Sequence, residues 1–232
     1  MSLDLTSTAI QIDGMSAALM SRAGHREERL RNALRALERC DIVEYTARRD
    51  MADRDAAWNT PAMVEDPATH YDLPESPDDF IVAAVDGSHI DVDRHLPARC
   101  FLINTGYAVL TYGNNPAADL DSEPRLYASD SDLSIRDPLS YRQQAIEGAL
   151  LGAKRAVEEI KKLVELVKAL PDDMPTLALL DGSLMMLGLS GQANQAFVLE
   201  ELVENGFASA LDHLREIAEN RPLAVASYIS LP

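Results

Sequence analysis

The chain has 232 residues, 47% of them apolar, enough to bury a core in one domain with an arm or in two small domains. Its formal charge of −17 argues against general binding to phosphate backbones, because that affinity comes largely from Lys and Arg displacing counterions. Cys40 and Cys100, the two cysteines, show no zinc-type spacing and are too few for a secreted disulfide scaffold, so they read as reduced and structural.

The start, Met1-Ser2-Leu3-Asp4-Leu5, carries an acid where a signal peptide needs a basic residue, and no apolar run reaches the roughly 20 residues that span a bilayer. A cytoplasmic protein with no membrane association is expected. Charge is unevenly spread. Eight arginines (22, 26, 29, 31, 35, 39, 48 and 49) fall between Arg22 and Arg49, every lysine lies between Lys154 and Lys168, and the remainder is acidic. The arginines suit a solvated helix face paired with Glu27, Glu28 and Glu38, or a nucleic-acid patch.

From Thr6 to Asp53 there is almost no Gly or Pro, which predicts one or two long helices. Leu19, Ala23, Arg26, Leu30, Ala33 and Leu37 form a narrow seam, better suited to a partner helix than to covering a sheet. Trp58 to Asp79 is rich in Pro, Asp and Ser and reads as a loop. The organisation that follows is an N-terminal helical arm over 1–58, a Pro/Asp-rich loop over 59–79 and a core over 80–232.

The core opens with the apolar run Phe80 to Val85, ending at Asp86-Gly87-Ser88. Such a run predicts a strand covered on both faces. Arg99 to Asn104 and Tyr107 to Tyr112, separated by Thr105-Gly106, read as a hairpin. Asn114 to Asp132 is polar, with a short strand near Leu126-Tyr127. Asp137-Pro138 offers a helix start, and Ile146, Leu150, Ala153, Val157, Ile160, Val164 and Val167 step along one stripe to about Leu170. Thr176 to Leu180 is a second buried strand ending at Asp181-Gly182-Ser183. Helices over Gln195 to Asn205 and Ala208 to Asn220 and a strand from Leu223 to Ile229 follow.

One Asp-Gly-Ser is ordinary turn chemistry. Two copies, each closing an apolar strand, carry more, since parallel strands of an α/β sheet deliver their C-terminal ends to one edge, where ligands bind. Two carboxylates there repel unless a cation lies between them, and hard oxygen donors suit Mg²⁺ or Mn²⁺. The glycine after each Asp removes bulk, so that a substrate backbone could approach.

Val85-Asp86-Gly87-Ser88 after a buried strand, a hairpin containing Thr105-Gly106-Tyr107, a long helix with an early Glu, and Leu179-Leu180-Asp181-Gly182-Ser183-Leu184 resemble, in that order, the NurA nucleases, and Ala226-Ser227-Tyr228-Ile229-Ser230 resembles that family's late strand. The resemblance spans Phe80 to Pro232. It implies an α/β fold with an RNase H-like mixed sheet flanked by helices, manganese-dependent (or Mg²⁺-dependent) cleavage of DNA, a homodimer, and work beside a HerA-type hexameric ATPase translocase in DNA end resection and repair. It also implies Asp86 as the ligand bridging two metals and Asp181 as the second. Glu147 is the third carboxylate by the family's early helical Glu, a position on the border of the apolar stripe that equally suits a solvated Glu paired with Lys154.

His89, Asp91, Asp93 and His95 alternate after the first motif, as a polar loop or as a further ligand source. Arg142 suits a phosphate contact or an ion pair with Asp137, and Met185 and Met186 read as packing residues. No phosphate-cradling glycine loop is present. Rival readings are a non-catalytic module of a DNA-processing complex and an actin-like ATPase, the latter needing a second large repeat. In the family the chain continues past the strand matched by Ala224 to Ile229 and supplies further ligands there, so weak cleavage is expected of these 232 residues alone.

Overall fold

Scarcity of Gly and Pro in the first fifty residues has its expected result in the computed structural model, which describes residues 5–52, 62–91, 99–186, 189 and 194–229. The chain falls into two units, Met1–Pro74 and Glu75–Pro232. In the first, α1 spans Leu5–Glu38 and α2 spans Ile42–Ala52. Asp41 starts α2 by accepting the Glu44 N–H at 3.0 Å, a side-chain cap on an otherwise unpaired donor. Among the described residues Arg31 pairs with Glu27 at 3.8 Å, Arg48 with Glu44 and Arg49 with Asp50, all local contacts. Leu19, Leu30 and Leu37 of the seam are each more than two-fifths exposed.

The second unit is built on a five-stranded sheet: β1 (Phe80–Asp91), β2 (Phe101–Tyr112), β3 (Ala117–Tyr127), β6 (Thr176–Asp181) and β7 (Leu223–Tyr228), in the order β3-β2-β1-β6-β7. β1 pairs antiparallel with β2 and β2 with β3, whereas β1, β6 and β7 are parallel neighbours, so only β2 runs against the rest. This is the mixed α/β sheet expected of an RNase H-like core. β4 (Ser134–Arg136) and β5 (Gln143–Ala145) form a separate small ribbon.

α3 (Ala149–Ala169) lies against the face that carries Ile81, Ala83 and Val85, and its stripe residues Val157, Ile160 and Val167 are fully buried there. A further helical stretch passes through α4 (Ala196–Leu199), a wider π-helical turn (Glu200–Ala208) and α5 (Ser209–Ala218), adding Val198, Leu202, Phe207 and Leu214 to the same core. The two helices expected over 195–220 are thus one continuous run. The other sheet face, with Val82, Ala84, Leu110, Leu177 and Leu179, is half-buried. β1 is therefore fully covered on one side only.

Three further expectations are corrected. Thr105-Gly106 is not a turn but the middle of β2, where Thr105 pairs with Gly87 and Gly106 with Asp86; the hairpins are β1–β2 and β2–β3. The polar segment after Asn114 is the edge strand β3, whose side chains are exposed except for Tyr127 and so leave no apolar signal. An edge strand also tolerates Pro124, which lacks an N–H for a ladder. Finally, Asp137 does not start a helix. Its carboxylate closes the β4–β5 turn, accepting from Leu139 N at 2.9 Å and Ser140 Oγ at 2.7 Å and pairing with Arg142 at 3.0 Å, and the helix begins eleven residues after Pro138, at Ala149.

Cys40 and Cys100 are unpaired. Among the described residues no helix is long and apolar enough to cross a membrane.

α3 ends where Pro171 cannot continue it, and a buried cation takes its last carbonyls. Arg221 donates through Nη1 to the Leu170 carbonyl at 3.2 Å and through Nη2 to that of Val167, and its Nη1 also meets Asp172 at 2.8 Å. A cation at a helix C-terminus is favoured by the peptide dipoles. Arg221→Met should cost about 2–3 kcal/mol of unfolding free energy in urea titration, because buried carbonyls lose a charged donor. Asp172→Ala should cost under about 1 kcal/mol, since Asp172 is 87% exposed and its pairing is screened.

Candidate active site

Strand register, more than any loop, assembles the acidic site. Val85 pairs with Leu180 in the parallel ladder, so the next residues, Asp86 and Asp181, stand level on neighbouring strands about 4.8 Å apart and point to the same face. Both are exposed, and both line one cavity of about 370 Å³ together with Gly106 and Tyr228. Tyr228 is the partner of Asp181 across β7. Beyond Asp181 the chain turns away through Gly182, at φ 124° in the region that favours glycine, and its N–H donates to the Tyr228 carbonyl at 2.9 Å. β1 does not turn there. It runs on with β2 to Asp91, which leaves its edge beyond Val85 without a β6 partner.

Glu159 of α3 fills that edge. Its side chain is 3% exposed, the Gly87 N–H favours its charged form, and a Cβ at residue 87 would come within 2.9 Å of its Cγ. Gly87 therefore admits a carboxylate of the chain itself, where a substrate approach was expected. Burial raises the pKa of Glu159; Arg155 opposes that shift, while the charges of Asp86 and Asp181 add to it. Arg155 Nε lies 3.0 Å from Glu159 Oε1, yet neither atom has a partner in hydrogen-bond geometry.

A family model described as "NurA domain" matches residues 80–230, a span that holds both Asp motifs, α3 and β7. The chain belongs to the NurA domain family. That places it in a nuclease family. No curated protein sequence matches it. Among solved structures, the "Crystal structure of Prototype Foamy Virus Protease-Reverse Transcriptase CSH mutant (selenomethionine-labeled)" is 11% identical over 68% of this chain, with a TM-score of 0.35, and this chain spans 18% of that one. The fold described above rests on the strand order itself and not on a likeness of that size.

Within the NurA domain the structure joins Asp86 and Asp181 but does not bring Glu147 to them. Glu147 precedes the first residue of α3, about 15 Å of helix before Glu159, and lines a different cavity of about 360 Å³ with Gln144 and Asn194. His89 and Asp91 are exposed on β1 and alternate onto the Gly87 face, opposite to Asp86. Asp93 and His95 lie outside the described residues. Arg142 takes its ion-pair role with Asp137. Met185 is exposed and Met186 packs partly against the core. Glu159 carried a faint sequence signal. Leu163, one turn later, widens the buried stripe, so a Glu one turn earlier falls on a covered face, but Arg155 four residues before it makes the pair look like ordinary surface charge.

The donor chemistry fits a hard divalent cation: three carboxylates, one of them with a buried oxygen lacking a hydrogen bond. Among the described residues no three His, Cys, Asp or Glu side chains already form a metal-holding group. Asp86 and Asp181 would hold the ion, and Glu159, whose carboxylate feels the charge of both, would add a third anionic group.

The folded protein keeps Glu159 protonated to higher pH than the unfolded chain does. The unfolded chain thus releases that proton first, and the stability owed to this group declines as pH climbs from the usual carboxylate range through the raised value. Glu159→Gln should flatten that part of the metal-free profile of Tm against pH. Its advantage over the wild type should be greatest near neutrality and least near about pH 4. A constant difference across this range would contradict the desolvation of Glu159.

Proposed function

We propose that this NurA domain hydrolyses phosphodiester bonds in DNA with a divalent metal, Mn²⁺ or Mg²⁺, and that it acts in DNA end processing beside a HerA-type hexameric translocase. The level placement of Asp86 and Asp181 on adjacent parallel strands, inside one cavity, carries this reading. A bound divalent ion supplies charge neutralisation at the phosphate and a more acidic water. The chain's own residues supply the rest. Asp86 and Asp181 present two oxygens from rigid β-structure, so little reorganisation is needed to hold a cation. Glu159, packed against Gly87, adds a third anionic group from a dry environment in which charges interact strongly. Tyr228, exposed beside Asp181, offers a ring on which a nucleotide base can stack. The cytoplasm is the proposed location, where DNA is the substrate at hand and Cys40 and Cys100 stay reduced.

A second reading keeps the fold but not the activity, as a partner-binding module of a DNA-processing complex. The observation in its favour is that the three carboxylates, among the described residues, are not preassembled as a metal cage.

Mn²⁺-dependent degradation of end-labelled linear DNA, with ATP turnover as a control, separates the two. Under the nuclease reading Asp86→Asn and Asp181→Asn each reduce cleavage to the level seen with chelator while the circular dichroism spectrum is unchanged, and Glu159→Gln is impaired as well. Glu147→Gln, in its separate cavity, should retain cleavage. Full activity in either Asp variant would remove the proposed site, and wild-type protein that binds DNA without cutting it would favour the module.

The homodimer and the contact with the translocase are assigned here to the arm. Its α1 exposes Ile12, Met15, Leu19, Leu30 and Leu34, an unusual apolar load for a helix in water. Removal of residues 1–58 should lower the mass measured by light scattering or change the salt dependence of DNA binding. If both stay constant, the arm has neither role.

A further inference from the structure

Among the described residues Arg155 is the one cation paired with the buried Glu159 carboxylate, and its environment differs from that of its partner. Glu159 is 3% exposed and packed against Gly87, whereas the Arg155 side chain is 36% exposed and can extend into water without moving the helix. Both residues lie on α3, four apart, and their contact is close at 3.0 Å but not directed as a hydrogen bond. It is therefore weaker than a bidentate Arg–carboxylate pair, and the Glu159 oxygen keeps a lone pair for another donor. The charges of Asp86 and Asp181 act on Glu159 against the Arg155 guanidinium, the one cation paired with it among the described residues, and a buried carboxylate left with no cation is strongly disfavoured.

We propose that Arg155 is a positioning residue that stands in for the divalent cation in the metal-free site, holding Glu159 against Gly87 and yielding it when metal binds Asp86 and Asp181. This rests on the metal-dependent reading above. Arg suits the task because its charge does not titrate away, and a partly exposed guanidinium regains water when it leaves. The arrangement opposes a metal in two ways: the ion must displace Arg155 from Glu159, and it must approach a fixed positive charge. Removal of Arg155 therefore tightens metal binding while loosening the metal-free protein, a pair of effects in opposite directions that general damage to packing does not produce.

The test is Mn²⁺ titration by calorimetry, with metal-free and Mn²⁺-saturated melting temperatures, on the full chain without DNA. Arg155→Gln should bind Mn²⁺ roughly tenfold more tightly than the wild type, with a lower metal-free Tm and a larger Tm rise on saturation. Arg155→Lys, which keeps the charge, should stay close to wild type in affinity. In the Glu159→Gln background the same Arg155→Gln change should have little effect, because the two residues act through one contact. An unchanged or weakened affinity in Arg155→Gln, or an equal gain with and without Glu159, overturns the proposal. The Asp86→Asn variant distinguishes the two levels. If it loses Mn²⁺ binding while Arg155→Gln has wild-type affinity, only the role of Arg155 fails; if it binds Mn²⁺ as the wild type does, the metal site fails and the role of Arg155 with it. Should Arg155→Gln not fold, Mg²⁺ titration of the wild type followed at the Arg155 Nε–H by NMR reads the same event. A shift that saturates with Mg²⁺ and is absent in Asp86→Asn supports the exchange, and an unmoved signal overturns it.

Discussion

Val85 pairs with Leu180 in a parallel ladder, and the consequences of that one register extend through the whole site. Side chains alternate along a strand, so residues that follow a parallel pair fall on the same side at the same height. A shift of one residue in either strand would send one of Asp86 and Asp181 to the face covered by α3, where an unpaired carboxylate could not be buried. The register is held by the apolar residues before it. Ala83, Val85, Ala178 and Leu180 are almost wholly inaccessible under α3, and slipping them would expose the core. Two charges that repel are thus kept together by the burial of their neighbours.

The strands on either side of that register are unequal in length, and this inequality makes room for the third carboxylate. β6 stops at Asp181, while β1 continues for five residues beyond Asp86. A backbone N–H left without a strand partner in a covered position needs an acceptor. At Gly87 the group packed against the strand is Glu159, whose buried carboxylate also feels the acidic pair. The two glycines that follow the aspartates therefore do different work: Gly87 yields space to Glu159 within a regular strand, and Gly182 adopts a backbone conformation that lets the chain leave.

Those differences explain what could be read from the sequence. The Asp motifs were legible because each ends an apolar run, and an apolar run with a polar stop is the pattern that a single sequence carries most clearly. The stripe of α3 was legible for the same reason. β3 was not, because an edge strand exposed on both faces needs no apolar alternation; its pairing is backbone to backbone with β2. Asp137-Pro138 has the composition of a helix start, but the carboxylate finds Leu139 N, Ser140 Oγ and Arg142 within five residues, and this local network wins over helix initiation. Glu147 was a choice made on the order of elements. Once the helix begins at Ala149 instead of near Asp137, the Glu that is early in sequence is no longer on the helix at all.

Glu159 marks the limit of reading along one dimension. Its nearest sequence neighbours, Glu158 and Ile160, point to different surroundings: Glu158 pairs with Lys154 at 2.7 Å near the surface, and Ile160 is fully buried. Nothing local says which of two adjacent glutamates is the covered one. The answer depends on Gly87, seventy-two residues earlier, because only the absence of a side chain there lets a carboxylate come so close to the strand. A covered glutamate on a helix and a glycine on the facing strand are each ordinary. Their coincidence, set by how far β1 outruns β6, brings the buried Glu159 carboxylate within the field of Asp86 and Asp181.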